Sequence, residues 1–185
     1  MQHSVVFIDI DTQHDFMDED GGLPVPGARE MLPVLERLTR LGREAGVPML
    51  ASLDTHAPDD PEFSQYPPHC VEGTPGWEKV EETKTPDQEC FQKSTFDLFS
   101  NPAFAERVLE IGPRIAIVYG VATDVCVKAA VQGLLDIVPR VLVVEDAVRA
   151  VKKEDGVEAL KELKSKGAAM ITSERVKAMF EEDAC

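Results

Sequence analysis

The sequence contains no apolar stretch that approaches the roughly 20 residues needed to cross a lipid bilayer. Residues 1–4 lead directly into a strand-like run and show neither the basic region nor the long apolar segment of a signal peptide. Cysteine is scarce as well: the four cysteines, at positions 70, 90, 126 and 185, form no Cys-x-x-Cys pair. Because disulfides are rare in reducing compartments, this usage predicts a cytoplasmic protein with free thiols.

Positively charged residues are also few: the sequence has 19 Lys and Arg residues against 34 Asp and Glu residues, and the formal net charge is −15. Nucleic acids and anionic membrane surfaces repel so acidic a chain, and we expect neither as a partner. Internal repeats and low-complexity segments are absent too. The 185 residues, 43% of them hydrophobic, predict a single globular domain over 1–185 and leave homo-oligomerisation open.

Short apolar runs alternate with amphipathic segments along the chain. The runs are rich in β-branched residues and predict strands at 5–10, 47–53, 115–119, 140–145 and 168–172. Helical spacing of apolar residues predicts helices at 28–45, 101–112, 126–135, 154–167 and 173–182. Gly46 is expected to end the first of these helices and Asn101 to cap the second. The order predicts an α/β fold with a doubly wound, mainly parallel sheet and helices on both faces.

The segment from Asp54 to about Thr95 has little periodicity and is rich in proline. It predicts a long loop, and loops of this length are uncommon in compact domains unless they serve a function. A metal ion could order such a loop, because coordinate bonds would replace the missing hydrophobic burial.

Candidate metal ligands lie at the start of this loop. Asp54 and His56 are two residues apart at the end of a predicted strand, which places them on one face, and His69 follows. Two imidazoles and a carboxylate suit a divalent transition metal such as zinc, manganese or iron, with positions left for water or substrate. The alternative is a solvated loop with incidental histidines.

Cys126 begins a predicted helix shortly after the strand at 115–119. Thr123 is a candidate N-cap and would place Cys126 near the third helical residue, where free N–H groups and the helix dipole favour thiolate. Asp11 and Lys93 also lie near strand ends, where the loops of an α/β sheet converge. A carboxylate could accept the thiol proton there, and an ammonium could stabilise the thiolate. The alternative is a packing cysteine and a solvated lysine.

Several segments, in this order, resemble the nicotinamidase/pyrazinamidase branch of the isochorismatase-like cysteine hydrolases. The most specific are PPHCVEGTPG at 67–76 and GVATDVCV at 120–127, and the others are DTQHDF at 11–16, LPVPG at 23–27, DTH at 54–56 and KSTFDLF at 93–99. The resemblance implies a three-layer α/β/α fold. It also implies an enzyme of NAD metabolism that hydrolyses nicotinamide to nicotinate and ammonia through a cysteine thioester.

The resemblance further implies a catalytic triad of Asp11, Lys93 and Cys126. It selects Asp11 as the catalytic acid because this residue lies four positions before the acid of the Asp-Phe pair. It implies a cis peptide bond before Ala122, and an oxyanion hole made by the backbone N–H groups of Ala122 and Cys126.

The family's metal site maps to Asp54, His56 and His69, with zinc as the first expectation. Some members carry a further histidine near the position of Glu62, and this chain has none. Glu62, Asp60 or water could complete the ligand set.

The substrate pocket departs from the family pattern. The resemblance implies that Phe16 and Tyr66 contact the substrate ring, but tryptophan is frequent where Tyr66 stands. Asp9 replaces a usually apolar residue, and two interpretations stay open for it: a hydrogen-bonded buried carboxyl group or a loop ligand. These differences leave open a related amidase that acts on another small amide or ureide, while an isochorismatase proper would not need Cys126. A non-enzymatic metal-binding or redox-responsive protein on this fold is the alternative of a different class.

Overall fold

A single parallel sheet forms the middle layer of the computed structural model, which describes residues 4–182. Its strands are β1 (Val5–Ile10), β2 (Met49–Asp54), β3 (Glu89–Lys93), β4 (Ile115–Val121), β5 (Arg140–Arg149) and β6 (Ala169–Ile171). The 6-stranded sheet has the order β3-β2-β1-β4-β5-β6, and each neighbouring pair is parallel. The predicted doubly wound fold is confirmed.

Helices cover both faces of this sheet. They are α1 (His14–Met17), α2 (Leu32–Glu44), α3 (Pro102–Ile111), α4 (Cys126–Ile137), α5 (Lys153–Ser165) and α6 (Ser173–Glu182). Helices α2 and α6 pack on one face, and α3, α4 and α5 pack on the other. Gly46, at a φ of 62°, follows α2 as expected, and the Asn101 side chain caps α3 by accepting the Ala103 N–H. None of the helices between residues 4 and 182 combines the length and apolar composition that a membrane crossing requires.

Strand β1 lies at the centre of the sheet and is buried on both of its faces. Val5 and Phe7 belong to one core cluster, whereas Val6 and Ile8 belong to the other, and all four are fully buried. A strand that is buried on both faces has a continuous run of apolar residues rather than alternating apolar and polar residues. This is the pattern that predicted β1.

The prediction of a continuous loop from Asp54 to about Thr95 was wrong at its C-terminal end. Residues Glu89–Lys93 form β3, which pairs with β2, and short 3-10 helices occur at Pro61–Ser64, Pro75–Trp77 and Glu81–Thr83. Strand β3 lies at the sheet edge, and its first residues are exposed. An edge strand buries few side chains, so its sequence carries little apolar pattern.

The predicted N-cap of α4 was also wrong. Helix α4 begins at Cys126, and its N-cap is Val125, which makes no side-chain capping bond. Thr123 instead lies in a turn where its N–H donates to the Arg149 carbonyl, and both Val125 and Val127 donate to the Ala122 carbonyl. Cys126 is therefore the first helical residue rather than the third.

Candidate active site

The carboxyl ends of β1, β2 and β3 bring three charged side chains together beside the start of α4. Asp11 follows β1, while Asp54 and Lys93 are the last residues of β2 and β3 and are paired in register. All three are buried, and Cys126 is partly exposed. Neighbouring parallel strands end at the same edge of the sheet, which is why residues so far apart in sequence meet here.

Lys93 lies at the centre of this group. Its Nζ atom is 2.8 Å from Oδ2 of Asp11, 3.0 Å from Oδ1 of Asp54 and 3.7 Å from Sγ of Cys126. Burial disfavours the ammonium form, but the carboxylates of Asp11 and Asp54, together with the Cys126 sulfur whenever it is ionised, outweigh this effect and raise the pKa of Lys93 well above its ordinary value. Lys93 is thus a permanently charged link between the thiol and two carboxylates.

Asp11 is held in an uncommon backbone conformation, with a φ of 48°. Ser52 of β2 fixes it from two sides: its hydroxyl donates to Oδ1 of Asp11 at 2.6 Å and accepts the Asp11 N–H at 3.1 Å. Gly120 lets β4 approach β1 at this point, because a Cβ atom there would lie 2.1 Å from the Ile10 carbonyl oxygen. Sequence reasoning missed Ser52, whose one signal is a hydroxyl inside an apolar strand.

The Cys126 thiol ionises less readily than an ordinary cysteine thiol. Desolvation raises the pKa of Cys126, the Lys93 charge lowers it, and the carboxylates of Asp11 and Asp54 raise it again, for a net shift well above the ordinary value. This upward shift runs against the expectation of a favoured thiolate, and its causes are desolvation and the two nearby carboxylates.

The backbone around Cys126 matches two implications of the resemblance. The Val121–Ala122 peptide bond is cis. Cys126 is the first residue of α4, so its N–H has no acceptor within the helix. Across residues 4–182, no acceptor receives the N–H of Ala122 or of Cys126, which leaves both groups available to bind an oxygen atom.

Asp54, His56 and His69 form a buried cluster beside Lys93. Their candidate ligand atoms lie within 4.8 Å of one another. Nε2 of His56 is 3.0 Å from Oδ2 of Asp54, and Nε2 of His69 is 3.5 Å from the same oxygen. The opposite ring atoms are occupied, since Nδ1 of His69 donates to the Pro67 carbonyl and Nδ1 of His56 contacts Asp60. Both Nε2 atoms therefore point inward, as they do in histidines that hold a metal.

The electrostatics of this cluster favour a cation. Burial disfavours the charged form of Asp54, but hydrogen bonds with His56 and His69 and the charge of Lys93 hold the pKa of Asp54 far below its usual range. The Asp54 hydrogen bond, against desolvation and with help from Asp60, raises the pKa of His56 to about 9. A group of atoms that stabilises positive charge on an imidazole also suits a divalent ion, so the residues present fit a metal.

Comparison with known proteins places the chain in a family. The isochorismatase domain model matches residues 5–175. The chain belongs to the isochorismatase family. This isochorismatase-family chain is 29% identical over 140 residues to Nicotinamidase 1 of Arabidopsis thaliana, an alignment that spans 67% of this chain and only 57% of that relative.

Solved structures agree with this assignment. The pyrazinamidase of Pyrococcus horikoshii in complex with zinc has a TM-score of 0.86 and 30% identity, and the match covers 91% of this chain and 99% of that one. The pyrazinamidase/nicotinamidase of Streptococcus mutans has a TM-score of 0.83 and 25% identity, covering 91% and 100% of the two chains. The family resemblance and the three-layer fold predicted from sequence are confirmed.

Two phenylalanine rings line the imidazoles of the isochorismatase-family site. The Phe16 ring lies 5.6 Å from the His69 ring, and the Phe63 ring lies 5.5 Å from His56 and 5.7 Å from His69. Of the two residues predicted to contact the substrate ring, Phe16 is buried, whereas Tyr66 is 49% exposed. Phe63 was missed because no motif marks it within a proline-rich segment.

Gln13 supports the site in a way that sequence reasoning also missed. Its amide accepts the Asp54 N–H and donates to the Asp54 carbonyl, both at 2.8 Å, and also donates to the Trp77 carbonyl at 2.8 Å. Asp15 acts similarly at His69: it accepts the N–H of the next residue, Cys70, at 2.7 Å. Both side chains hold the backbone of candidate metal ligands.

Proposed function

We propose that this protein is a metal-containing cysteine amidohydrolase that converts nicotinamide and water into nicotinate and ammonia. The observation that carries the proposal is the position of Lys93, whose ammonium contacts the Cys126 thiol, the Asp11 carboxylate and the Asp54 carboxylate of the metal cluster. A nucleophile, a base and a cation site thereby adjoin one lysine. The names nicotinamidase and pyrazinamidase among the relatives support a ring carboxamide as the substrate.

The first half of the proposed reaction forms a thioester. Asp11 accepts the proton of the Cys126 thiol as Sγ attacks the carboxamide carbon, and the Lys93 charge stabilises the developing thiolate. The carbonyl oxygen becomes an oxyanion that the N–H groups of Ala122 and Cys126 bind. When this intermediate collapses, the C–N bond breaks, and Asp11 returns its proton to the departing nitrogen, which leaves as ammonia.

The second half hydrolyses the thioester. Asp11, again a carboxylate, removes a proton from water as the water oxygen attacks the same carbon. The C–S bond breaks, Asp11 returns the proton to Sγ of Cys126, and the acid product leaves as nicotinate after losing its carboxyl proton to solvent. Ser52 holds Asp11 in place through both halves, because its hydroxyl binds Oδ1 and leaves Oδ2 toward Lys93.

Asp54, His56 and His69 would hold the metal, and Glu62 is the protein residue best placed to add a ligand. Oε1 of Glu62 lies 4.0 Å from the inward-facing Nε2 of His69. Asp60 instead contacts the outward-facing Nδ1 of His56, which is the position of a group that orients a ligand. A bound ion, zinc by analogy with the Pyrococcus horikoshii structure, would supply a coordination position for the pyridine nitrogen.

The same site would serve a related amidase with another small amide or ureide as its substrate. The exposure of Tyr66 favours this second candidate, because a ring that is 49% exposed encloses a flat substrate less completely than a buried one. Both candidates act on a small molecule, and neither needs nucleic acid or a membrane as a partner. We place either activity in the cytoplasm, where the free thiols of the described cysteines persist.

Ammonia release from nicotinamide tests the proposal directly. The wild-type protein, with its metal content measured, is compared with Cys126→Ala and with Cys90→Ala, which removes an exposed cysteine outside the site. We expect turnover by the wild type and by Cys90→Ala, and none by Cys126→Ala. Full turnover by Cys126→Ala would refute the thioester mechanism. Turnover of another amide but not of nicotinamide by the metal-loaded wild type would favour the second candidate.

A further inference from the structure

A second buried ion pair joins β1 to the segment between β2 and β3, next to the candidate active site. Nζ of Lys79 donates to Oδ2 of Asp9 at 2.5 Å, and the side chains are 5% and 0% exposed. Asp9 is therefore a hydrogen-bonded buried carboxyl group, which is one of the two interpretations that its sequence position left open. Neither residue belongs to the triad or to the metal cluster.

Lys79 also contacts the residue that follows Asp11. Its Nζ donates to Oγ1 of Thr12 at 2.8 Å, and the same hydroxyl lies 3.1 Å from Oδ2 of Asp9. The Lys79 ammonium thus connects Asp9, two positions before Asp11, with Thr12, which directly follows Asp11. Because Asp11 has a φ of 48°, it lies in a tight backbone turn, and these contacts close that turn.

The segment around Lys79 is attached to the same stretch by its backbone. The Val80 N–H donates to the Thr12 carbonyl at 3.0 Å, and the His14 N–H donates to the Glu78 carbonyl at 2.9 Å. Between these bonds, Gln13 and Lys79 form an antiparallel bridge. Gln13 in turn holds both backbone polar groups of Asp54. A displacement of Lys79 would therefore shift Asp11 directly, and it would shift Asp54 through Gln13.

Stability alone does not account for this pair. Replacing a buried ion pair by apolar residues of similar volume is often neutral or stabilising. Only Oδ2 of Asp9 is used: within residues 4–182, Oδ1 receives no hydrogen bond although it is fully buried. An apolar residue at this position would avoid that cost.

We propose that Asp9 and Lys79 are positioning residues, which hold Asp11 and Asp54 at their distances from Lys93. The inference rests on the proposed amidase function. Neither residue would touch the substrate, and their effect would pass through Thr12 and Gln13. Because small misplacements of reacting groups cost roughly 100-fold in rate, loss of the pair should lower kcat more than it changes KM.

The test is the double variant Asp9→Leu/Lys79→Met, which replaces the pair with apolar side chains of similar size. Three quantities are measured in a Cys90→Ala background: the melting temperature, kcat and KM for nicotinamide, and the rate at which iodoacetamide alkylates Cys126 at pH 7. We expect a melting temperature close to that of the parent, a kcat lower by roughly 10- to 100-fold, and a KM within about twofold. The alkylation rate should change at least threefold, because Asp11 and Lys93 both face the thiol. Lys79→Arg, which keeps the charge, should recover part of kcat.

The exposed ion pair of Arg175 and Glu182 supplies the matched control. Arg175→Met/Glu182→Gln should leave all three quantities unchanged. A folded Asp9→Leu/Lys79→Met protein with parental kcat and alkylation rate would overturn the proposal. If the double variant does not fold, Thr12→Val decides, because it keeps the ion pair and removes the hydroxyl that both members contact; an unchanged kcat would then overturn the proposal. If the wild type does not hydrolyse nicotinamide, the proposed function fails, and the alkylation rate still tests the positioning role.

Discussion

The two oxygens of the Asp54 carboxylate serve two different partners, of which Lys93 is one. Oδ1 lies 3.0 Å from Nζ of Lys93, and Oδ2 lies 3.0 Å from Nε2 of His56. The proposed triad and the proposed metal cluster therefore share one buried anion. Any change in the charge of Asp54 should act on both, and the predictions below use this link.

Asp54→Asn should weaken metal binding and amide turnover together. The amide keeps the shape of the side chain but removes the charge that faces both His56 and Lys93. Asp60→Asn is the matched control, because Asp60 contacts the outer Nδ1 of His56 rather than its inward-facing Nε2 and otherwise accepts the Glu62 N–H. Loss of such an outer partner costs roughly 10- to 100-fold in affinity. Metal titration and nicotinamide turnover are measured on both variants. A smaller loss in Asp54→Asn than in Asp60→Asn would contradict the assignment of Asp54 as a ligand.

Lys93→Met should destabilise the protein as well as abolish turnover. It leaves the carboxylates of Asp11 and Asp54 buried without their cation, and breaking a buried ion pair in this way typically costs about 3–5 kcal/mol. Urea unfolding measures the loss. Lys84→Met, which removes an exposed lysine paired with Glu81, should change the free energy of unfolding little. Equal effects of the two variants would show that Lys93 is not held as described.

Ser52→Ala should lower kcat without removing any group of the triad. The hydroxyl makes two hydrogen bonds with Asp11, and leaving buried groups unsatisfied costs about 1–3 kcal/mol. We expect a modest loss in the free energy of unfolding and a lower kcat at saturating nicotinamide. Ser64→Ala, at an exposed serine, is the control. A stability loss with an unchanged kcat would mean that Ser52 supports the fold but does not position Asp11.

The rate of Cys126 alkylation should continue to rise with pH above the value at which an ordinary cysteine is already ionised. The folded protein raises the pKa of Cys126, so the thiol releases its proton only in more alkaline solution than an ordinary cysteine does. The same shift makes the stability of the fold depend on pH. The contribution of the neutral thiol to stability is fully present below the unfolded pKa of about 8.5. This contribution is lost as the pH rises above that value. Mass spectrometry of iodoacetamide-treated protein, in a Cys90→Ala background, follows the rate. A plateau below pH 8 would contradict the prediction.

The local pattern of the sequence determined much of the outcome. Continuous β-branched runs specified β1 and β4, because strands buried on both faces need apolar side chains at every position. The Asp54-x-His56 spacing indicated the metal cluster, since residues two apart in a strand share a face. Motifs around His69 and Cys126 indicated the family, which the comparisons confirm. Each of these signals comes from residues that lie close together in the sequence.

Only the tertiary structure decided how distant residues act on one another. The local signals for Lys93 and Ser52 were a family motif and a hydroxyl inside an apolar strand, and their contacts with Asp11 follow from the parallel pairing that ends three strands at one edge of the sheet. The edge strand β3 and the pairing of Asp9 with Lys79 were likewise invisible in sequence. The pKa of Cys126 shifts upward rather than toward thiolate, because it depends on desolvation and on every nearby charge. Those quantities exist only once the chain has brought its strands together.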